Sequence, residues 1–336
     1  MIDFTLLTLL LTVAIAIIRM KDLFAVVMLL GIYGLLSAIF FVAMDAVDVA
    51  FTEAAVGAGI SSLLMLVAIT MTGRNENTTR HKPISALFIV IITGGLLLYG
   101  TFDMPYFGAV EASINSHVVP RYINDSMQEI GIPNIVTSVL ASYRAFDTFG
   151  EVVVIFTAGI GVLALLSVGR RPKDDDKIAS INDSMSEQYL VVRIVTKMLI
   201  PFIMLFALYV QFHGDFGPGG GFQAGVIFAA AIILYAMLFG LSTANKVINQ
   251  TFIELMAALG VLLYGCVGIV SLLNGGNFFD FNVLSNDPIA GQHLGIILIE
   301  LGVGCTVASV MILIFFNFAG RKELQNNNSN KNEESC

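Results

Sequence analysis

The amino-acid sequence predicts an all-α protein, a polytopic membrane helical bundle with about nine transmembrane helices. Hydrophobic residues form 57% of the 336-residue chain and charged residues only 12%, against roughly 25% charged residues in a soluble domain. The apolar residues lie in long runs that approach or exceed the roughly 20 residues needed to cross a bilayer as a helix. The predicted spans are 3–18, 22–44, 46–72, 84–102, 146–168, 191–212, 219–242, 250–273 and 292–318.

Basic residues favour one orientation of these spans. Lys and Arg concentrate in every second segment between spans, whereas the alternate segments contain only Arg121 and Arg144. Because basic loops stay on the cytoplasmic side, the sequence predicts a multi-pass protein of the cytoplasmic membrane. Its N-terminus is expected outside and its C-terminus inside.

Changes in charge and composition divide the chain into five segments. They are a three-helix segment (1–82), a two-helix segment (83–168), a charged cytoplasmic linker (169–190), a four-helix segment (191–320) and a polar tail (321–336). The second segment includes a long outside loop, residues 103–145, near whose end a short interfacial helix is an option. The Asn-, Ser- and Glu-rich tail is expected to be disordered.

Four carboxylates in or just inside the apolar runs are the main candidates for a proton or cation path: Glu53, Asp147, Glu151 and Glu300. A charged group at the centre of a bilayer costs roughly 2.5–3.5 kcal/mol. A bound proton or cation removes much of that cost, so these residue types point to ion transport.

Glu53 shares a predicted helix face with Gly57 and Ser61, at spacings of four and eight residues. Small residues let a second helix approach closely, so Glu53 is expected to face protein. An interhelix hydrogen bond from a protonated Glu53 is the alternative. Asp48, a lower-weight candidate, lies in the first turn of the same span, where the helix dipole also favours an acid.

Asp147 and Glu151 are four residues apart, a spacing at which like charges repel on a helix. In an apolar setting the pair would share a proton, hold a cation or interact with Arg144. The alternative is a surface ion pair between Arg144 and Asp147, with Glu151 just below it.

The segment YVQFHGDFGPGGGFQAG, residues 209–225, predicts a tight non-helical turn between the sixth and seventh spans. The structural turn residues are Pro218, Gly219, Gly220 and Gly221. Non-helical backbone at membrane depth must be buried in protein or line a wet cavity. His213 and Asp215 flank the turn and are lower-weight path candidates, although a hairpin without chemistry is nearly as plausible.

His293 and Glu300 lie seven residues apart on one face of the last span, roughly 10.5 Å along the helix. Glu300 is near mid-span and is expected to carry protons. His293 is nearer the rim, where a simple polar end residue is the alternative. Glu254, also of lower weight, occupies the first turn of the eighth span, where the dipole favours an acid.

The cysteines, Cys266, Cys305 and Cys336, show no metal or disulfide spacing. Ligand sets for iron–sulfur clusters or haem are also missing from the sequence. We therefore expect no cofactor and no permanent metal, only transported ions, and a transport role rather than an enzyme. No basic patch suggests nucleic acid.

Three motifs in series resemble a known family. HGDFGPGGGFQAGVI and HLGIILIELGVG are similar to the B subunit of Mrp-type multisubunit Na⁺/H⁺ antiporters, the MnhB domain. DAVDVAFTEAAVGAG and YRAFDTFGEVVVIFTAGIGVLALL resemble the C-terminal segments of the large antiporter A protein, which are separate D and E subunits in membrane-bound hydrogenases. The chain departs from the family pattern at Asp215, where a second His is usual, and at Gly217, Ala224 and Val47.

The resemblance implies a fusion of a D-like segment (1–82), an E-like segment (83–168) and an MnhB-like domain (191–320). It implies a subunit of a cation/proton antiporter in which Glu53 and Glu151, then Asp147 and Glu300, contribute to a Na⁺ or H⁺ path. Expected partners are antiporter membrane subunits, including larger complex I-like ones. The alternatives are a structural subunit of the membrane arm of an ion-pumping hydrogenase or related redox complex, with iron–sulfur partners.

Overall fold

Nine helices in the described part of the chain are long and apolar enough to cross a membrane, in agreement with the predicted spans. The computed structural model describes residues 2–76, 83–106, 108–166 and 190–334. Within these ranges the ordered elements are helical and no strand is present. The fold class is therefore confirmed, while the orientation of the termini stays a prediction.

The described residues form the following spanning elements, in chain order. They are α1 (Ile2–Arg19), α2 (Leu23–Ala43), α3 (Val47–Glu53) continued by the π-helix π1 (Ala54–Ser61) and α4 (Ser62–Thr72), α5 (Pro83–Thr101), α10 (Ala145–Leu166), α11 (Leu190–His213), α12 (Gly221–Phe239), α14 (Gln250–Leu273) and α15 (Pro288–Glu334). A short helix α13 (Leu241–Val247) connects α12 to α14, and a 3₁₀ turn (Phe281–Leu284) precedes α15.

The third span is not a continuous α-helix, because it contains π1 at its centre. The π turn includes Gly57, and it packs against Gly34 of α2 so closely that a Cβ on Gly34 would lie 2.9 Å from the backbone nitrogen of Ala58. Single π turns inside α-helices occur frequently at functional sites. The face predicted from regular α spacing is therefore altered beyond Glu53.

The predicted outside loop contains ordered short helices: α6 (Ser113–Ser116), α7 (Val119–Asn124), α8 (Ser126–Glu129), α9 (Ile135–Ser138) and the π-helix π2 (Val139–Tyr143). Its end folds over the turn between α11 and α12, where the backbone N–H of Asn134 donates to the carbonyl of Asp215 at 3.1 Å. The loop is thus part of the bundle's packing at this end.

The helix α15 extends to Glu334 and so includes most of the tail, while the disorder predicted for residues 321–336 stays a prediction. The first tail residues, RKELQ, are good helix formers and directly follow an existing helix, which removes the cost of nucleation. The predicted linker, residues 169–190, lies outside the described residues except for Leu190, which begins α11.

The core of the described bundle is built around α15, which packs against α10, α12 and α14. Ile296, Ile299 and Val307 of α15 are fully buried. Close approach of α12 requires glycine at Gly221, because a side chain there would overlap the backbone carbonyl of Glu300. This packing brings the glycine turn of the predicted hairpin directly against the acid of the last span.

Candidate ion-binding site

A cavity of about 630 Å³ lies where α3, α10, α12 and α15 meet beneath the outside loop. Most of its wall is apolar, but it includes a small set of polar side chains. These are Asp48, Thr52, Thr137, Thr148, Glu151, Gln223, Tyr264 and Glu300. The structure therefore brings together three of the acids predicted from sequence, from three different helices.

The predicted glycine turn forms one wall of the cavity. Gly219, Gly220 and Gly221 all line it. Gly220 has a φ of +113°, a conformation that L side chains rarely adopt, and its N–H donates to the carbonyl of Val210 at 3.0 Å. This non-helical backbone lies beside a cavity, as expected for such a turn at membrane depth, and within it Gly220 is buried whereas Pro218 is exposed.

Glu300 points its carboxylate at this turn. A Cβ built on Gly214 would lie 3.3 Å from its Oε1 atom, and one built on Gly220 would lie 3.1 Å away. Because Gly214 and Gly220 have no side chains, the Glu300 carboxylate can occupy the space beside them. Glu300 is therefore held against backbone from the α11–α12 turn, at the edge of the shared cavity.

Two hydrogen bonds at the cavity join α3 to α12 and to the turn that precedes it. The amide Nε2 of Gln223 donates to the hydroxyl of Thr52 at 2.8 Å. The backbone N–H of Gly219 donates to a carboxylate oxygen of Asp48 at 3.4 Å. Asp48 lies in the first turn of α3, so it satisfies the dipole explanation and also lines the cavity.

Glu151 is an exposed residue of α10 that lines the cavity. Beside it in the wall is Tyr264, whose hydroxyl donates to the carbonyl of Ala145 at 2.8 Å and whose ring contacts Phe149, with 5.4 Å between centroids. Tyr264 is fully buried. It fixes the position of α10, and therefore of Glu151, relative to α14.

The outside loop covers the turn with side chains that sequence reasoning did not identify. Asn134 donates through Nδ2 to the carbonyls of Gly214 and Gly217, each at 3.0 Å, and Thr137 donates to Gly214 at 2.6 Å. Thr52, Thr148 and Tyr264 were also missed. The partners of Thr52 and Tyr264 are 171 and 119 residues away in the chain, so their signal in the sequence is weak, whereas Thr148 donates to the carbonyl of Leu140, eight residues earlier.

Asp215 and His293 form a pair beside the cavity. His293 Nδ1 lies 3.8 Å from Asp215 Oδ2, and the side chains are 36% and 13% exposed. Burial raises the pKa of the Asp215 carboxyl above its ordinary value, although His293 acts in the opposite direction. The structure thus brings together two of the lower-weight candidates near the beginning of α15.

The remaining candidates do not line this cavity. Glu53 lies against Gly34 and Gly57, within the packing of α2 on the third span. Asp147 forms an ion pair with Arg144, with Nε and Oδ2 2.7 Å apart, and is half exposed. Glu53 and Asp147 therefore do not share the cavity of Glu151 and Glu300, although Asp147 lies one turn from Glu151 on α10.

His213 and Glu254 also lie elsewhere. His213 stacks on Tyr209 and lines a separate cavity of about 510 Å³ against α2 and α3. Glu254 is exposed and accepts a hydrogen bond from Gln250 at 3.0 Å. Among the described residues, no three His, Cys, Asp or Glu side chains are grouped as metal ligands.

Comparison with known proteins adds three family matches along the chain. Residues 191–313 match the domain related to the MnhB subunit of Na⁺/H⁺ antiporters. Residues 8–74 and 84–183 match subunits D and E of MBH. These matches follow the order of segments predicted from the motifs.

Two relatives have descriptions that assign them, provisionally, as antiporter subunits. A Staphylococcus haemolyticus protein, described as the antiporter component mnhB2, is 33% identical over 141 residues, 41% of this chain and 99% of its own length. A Rhizobium meliloti protein, described as the A/B subunit of a K⁺/H⁺ antiporter, is 26% identical over 327 residues, 88% of this chain and 32% of its own length.

Two solved structures share the fold. A chain of the Mrp complex from Dietzia sp. DQ12-45-1b superposes with a TM-score of 0.75 at 24% identity, over 94% of this chain and 34% of that chain. A chain of the archaeal membrane-bound sulfane sulfur reductase, a respiratory membrane complex, superposes with a TM-score of 0.51 at 27% identity. The match covers 71% of this chain and 98% of that chain. The chain thus spans about a third of the length of the Rhizobium relative and of the Mrp complex chain.

Proposed function

Because this chain belongs to the MnhB family of Na⁺/H⁺ antiporter subunits, we propose that it is a membrane subunit of a multisubunit cation/proton antiporter. The observation that carries the proposal is the shared cavity lined by Asp48, Glu151 and Glu300. Three acids from three helices around one space in an apolar bundle form a site that a proton or a cation can occupy.

The proposed mechanism is reversible occupancy of these carboxylates. Negative charges in one poorly solvated cavity repel each other, so the cavity favours a bound proton or Na⁺ over the empty, fully charged state. The hydroxyl of Thr52 and the amide of Gln223 supply further oxygen atoms beside the acids. Proton and cation then compete for the same oxygens, and this competition couples their movements.

We propose Na⁺ as the exchanged cation and the cytoplasmic membrane as the location, from the description of the family and the nine apolar helices. The expected partners are other membrane subunits of the antiporter, since the Rhizobium relative and the Mrp complex chain are about three times as long. Purification of the tagged chain in mild detergent, with mass spectrometry, identifies these partners and reveals any iron–sulfur subunits.

The test of the function is exchange in vesicles that contain the assembled complex. Glu151→Gln and Glu300→Gln keep the side-chain shape but cannot release a proton, so we expect each to lower Na⁺/H⁺ exchange at least roughly tenfold. Glu111→Gln, an exposed position in the outside loop, is the matched control and should exchange normally. Parallel assays with K⁺ decide the choice of cation.

Assembly is measured in the same samples by co-purification of the partner subunits. Normal exchange by an assembled double variant, Glu151→Gln with Glu300→Gln, would contradict a role of this cavity in transport. Loss of assembly in both single variants would instead indicate that the acids brace the bundle through interhelix hydrogen bonds.

A further inference from the structure

We propose that His293 and Asp215 form a proton relay that loads Glu300 from the membrane surface at which α15 begins. The inference rests on the proposed function, because it supplies the protons that the cavity exchanges. It assigns a role to two side chains that do not line the cavity themselves.

The geometry of α15 makes an intermediate group necessary. His293 and Glu300 are seven residues apart on one helix, roughly 10.5 Å along its axis, too far for direct transfer. Asp215 enters from the α11–α12 turn, 3.8 Å from the imidazole of His293. It directly follows Gly214, which packs against the Glu300 carboxylate so closely that a Cβ on Gly214 would lie 3.3 Å from Oε1. Asp215 therefore lies beside both groups of α15.

The side chains of the relay lead from water to the cavity. His293 is 36% exposed and accessible to water, whereas Asp215 is 13% exposed. The Glu300 carboxylate lies against Gly214 and Gly220 at the cavity edge. A series that leads from an accessible imidazole to an acid at the cavity is what proton delivery requires, and a static surface ion pair does not require it.

The outside loop holds the intermediate group in place. The carbonyl of Asp215 accepts the backbone N–H of Asn134 at 3.1 Å, and the neighbouring carbonyl of Gly214 accepts hydrogen bonds from both Asn134 and Thr137. These contacts fix the backbone on both sides of the Asp215 side chain. Proton transfer depends on such positioning, because donor and acceptor must come within hydrogen-bond reach.

The charged and titratable groups around the turn come from three elements. His213 ends α11, Asp48 lies in α3 and accepts the N–H of Gly219, and His293 and Glu300 belong to α15. The covering loop contributes Asn134 and Thr137, which do not titrate. In the relay a proton moves from water to His293, then to the Asp215 carboxylate, then to Glu300, without any other bond change.

The test measures exchange by the whole complex in vesicles as a function of pH on that face. The relay takes up its protons from water on that face, so the wild-type rate should fall as the pH there rises. His293→Gln and Asp215→Asn should lower the rate roughly tenfold or more, and His293→Gln should weaken this pH dependence. His117→Gln and Asp103→Asn, both exposed, are the matched controls.

Asp215→His separates proton transfer from a purely structural role, because it restores a titratable group in place of the carboxylate. We expect it to recover most of the exchange that Asp215→Asn loses. Equal loss in the two variants would overturn the relay. If Asp215→Asn fails to assemble, the partly exposed His293 position carries the test.

The relay and the proposed function fail in different ways. Wild-type rates and pH profiles for His293→Gln and Asp215→Asn, beside an inactive Glu300→Gln, would overturn the relay and leave the transport function in place. Normal exchange by assembled Glu300→Gln would remove the function on which the relay depends.

Discussion

At the scale of single residues, the site depends on glycines that make room for an acid. Glu300 was predicted from its cost in an apolar span, and the glycine turn from its inability to continue a helix. Their contact could not be predicted, because Gly214 and Gly220 lie 86 and 80 residues from Glu300 in the chain. The same reason explains why Tyr264 and Thr137 were missed: their partners, Ala145 and Gly214, are distant in sequence.

Gly220→Ala tests whether the turn serves Glu300 in particular. The new Cβ would lie 3.1 Å from the Glu300 carboxylate, at a φ of +113°, so we expect a loss of stability of about 1–2 kcal/mol together with reduced exchange. Gly275→Ala is the matched control, since its φ is +87° and nothing lies within 4 Å of its Cβ. Thermal unfolding and vesicle exchange are measured for both.

The two variants separate strain from contact. Both should lose stability because of the positive φ, but Gly275→Ala should keep the wild-type exchange rate. If Gly220→Ala also exchanges normally, the position of the Glu300 carboxylate does not depend on the turn.

At the scale of elements, the sequence predicted spans better than it predicted helix type. The bounds of the nine spans agree with the structure to within about four residues, because hydropathy and breaker residues are local signals. Hydropathy does not indicate whether the backbone hydrogen bonds join residues four or five positions apart, so π1 was not predicted. Of the helices in the outside loop, only a short one near its end was offered as an option, because the stability of such short helices depends on the bundle beneath them.

Gly34→Ala tests the packing of α2 on π1. A Cβ on Gly34 would meet the backbone of Ala58 at 2.9 Å and the Glu53 carboxylate at 3.3 Å. Because backbone cannot move aside, we expect a loss of about 1–3 kcal/mol from overpacking, measured as a fall in the melting temperature of the purified complex.

The matched control is Gly31→Ala, one turn earlier on α2. Its Cβ would also meet an atom at 2.9 Å, but that atom is the Ser62 hydroxyl, which can rotate away. We expect a clearly smaller loss than for Gly34→Ala. Equal losses would show that π1 and α2 do not depend on this close backbone contact.

At the scale of the whole molecule, the cavity exists only where the two halves of the chain meet. Asp48, Thr52 and Glu151 come from before the predicted linker, and Gln223 and Glu300 from after it. The family matches also change between the two halves, since subunits D and E of MBH match residues 8–74 and 84–183 and the MnhB domain matches residues 191–313. The chain therefore combines in one polypeptide the parts of a site that separate subunits could assemble by association.

Splitting the chain within the linker, into residues 1–177 and 178–336, should therefore give halves that co-purify and exchange cations when expressed together. Packing of α15 against α4 and α10 supplies the apolar contact, and the Gln223–Thr52 hydrogen bond supplies polar specificity.

Gln223→Leu and Thr52→Val should each weaken recovery of the pair, since an unpaired buried amide or hydroxyl costs about 1–3 kcal/mol. The double variant should lose less than the sum of both, because neither polar group is then left without its partner. Additive losses would show that the Gln223–Thr52 hydrogen bond is not formed in the assembled complex. If the two halves purify separately, the covalent linker is needed to hold this site together.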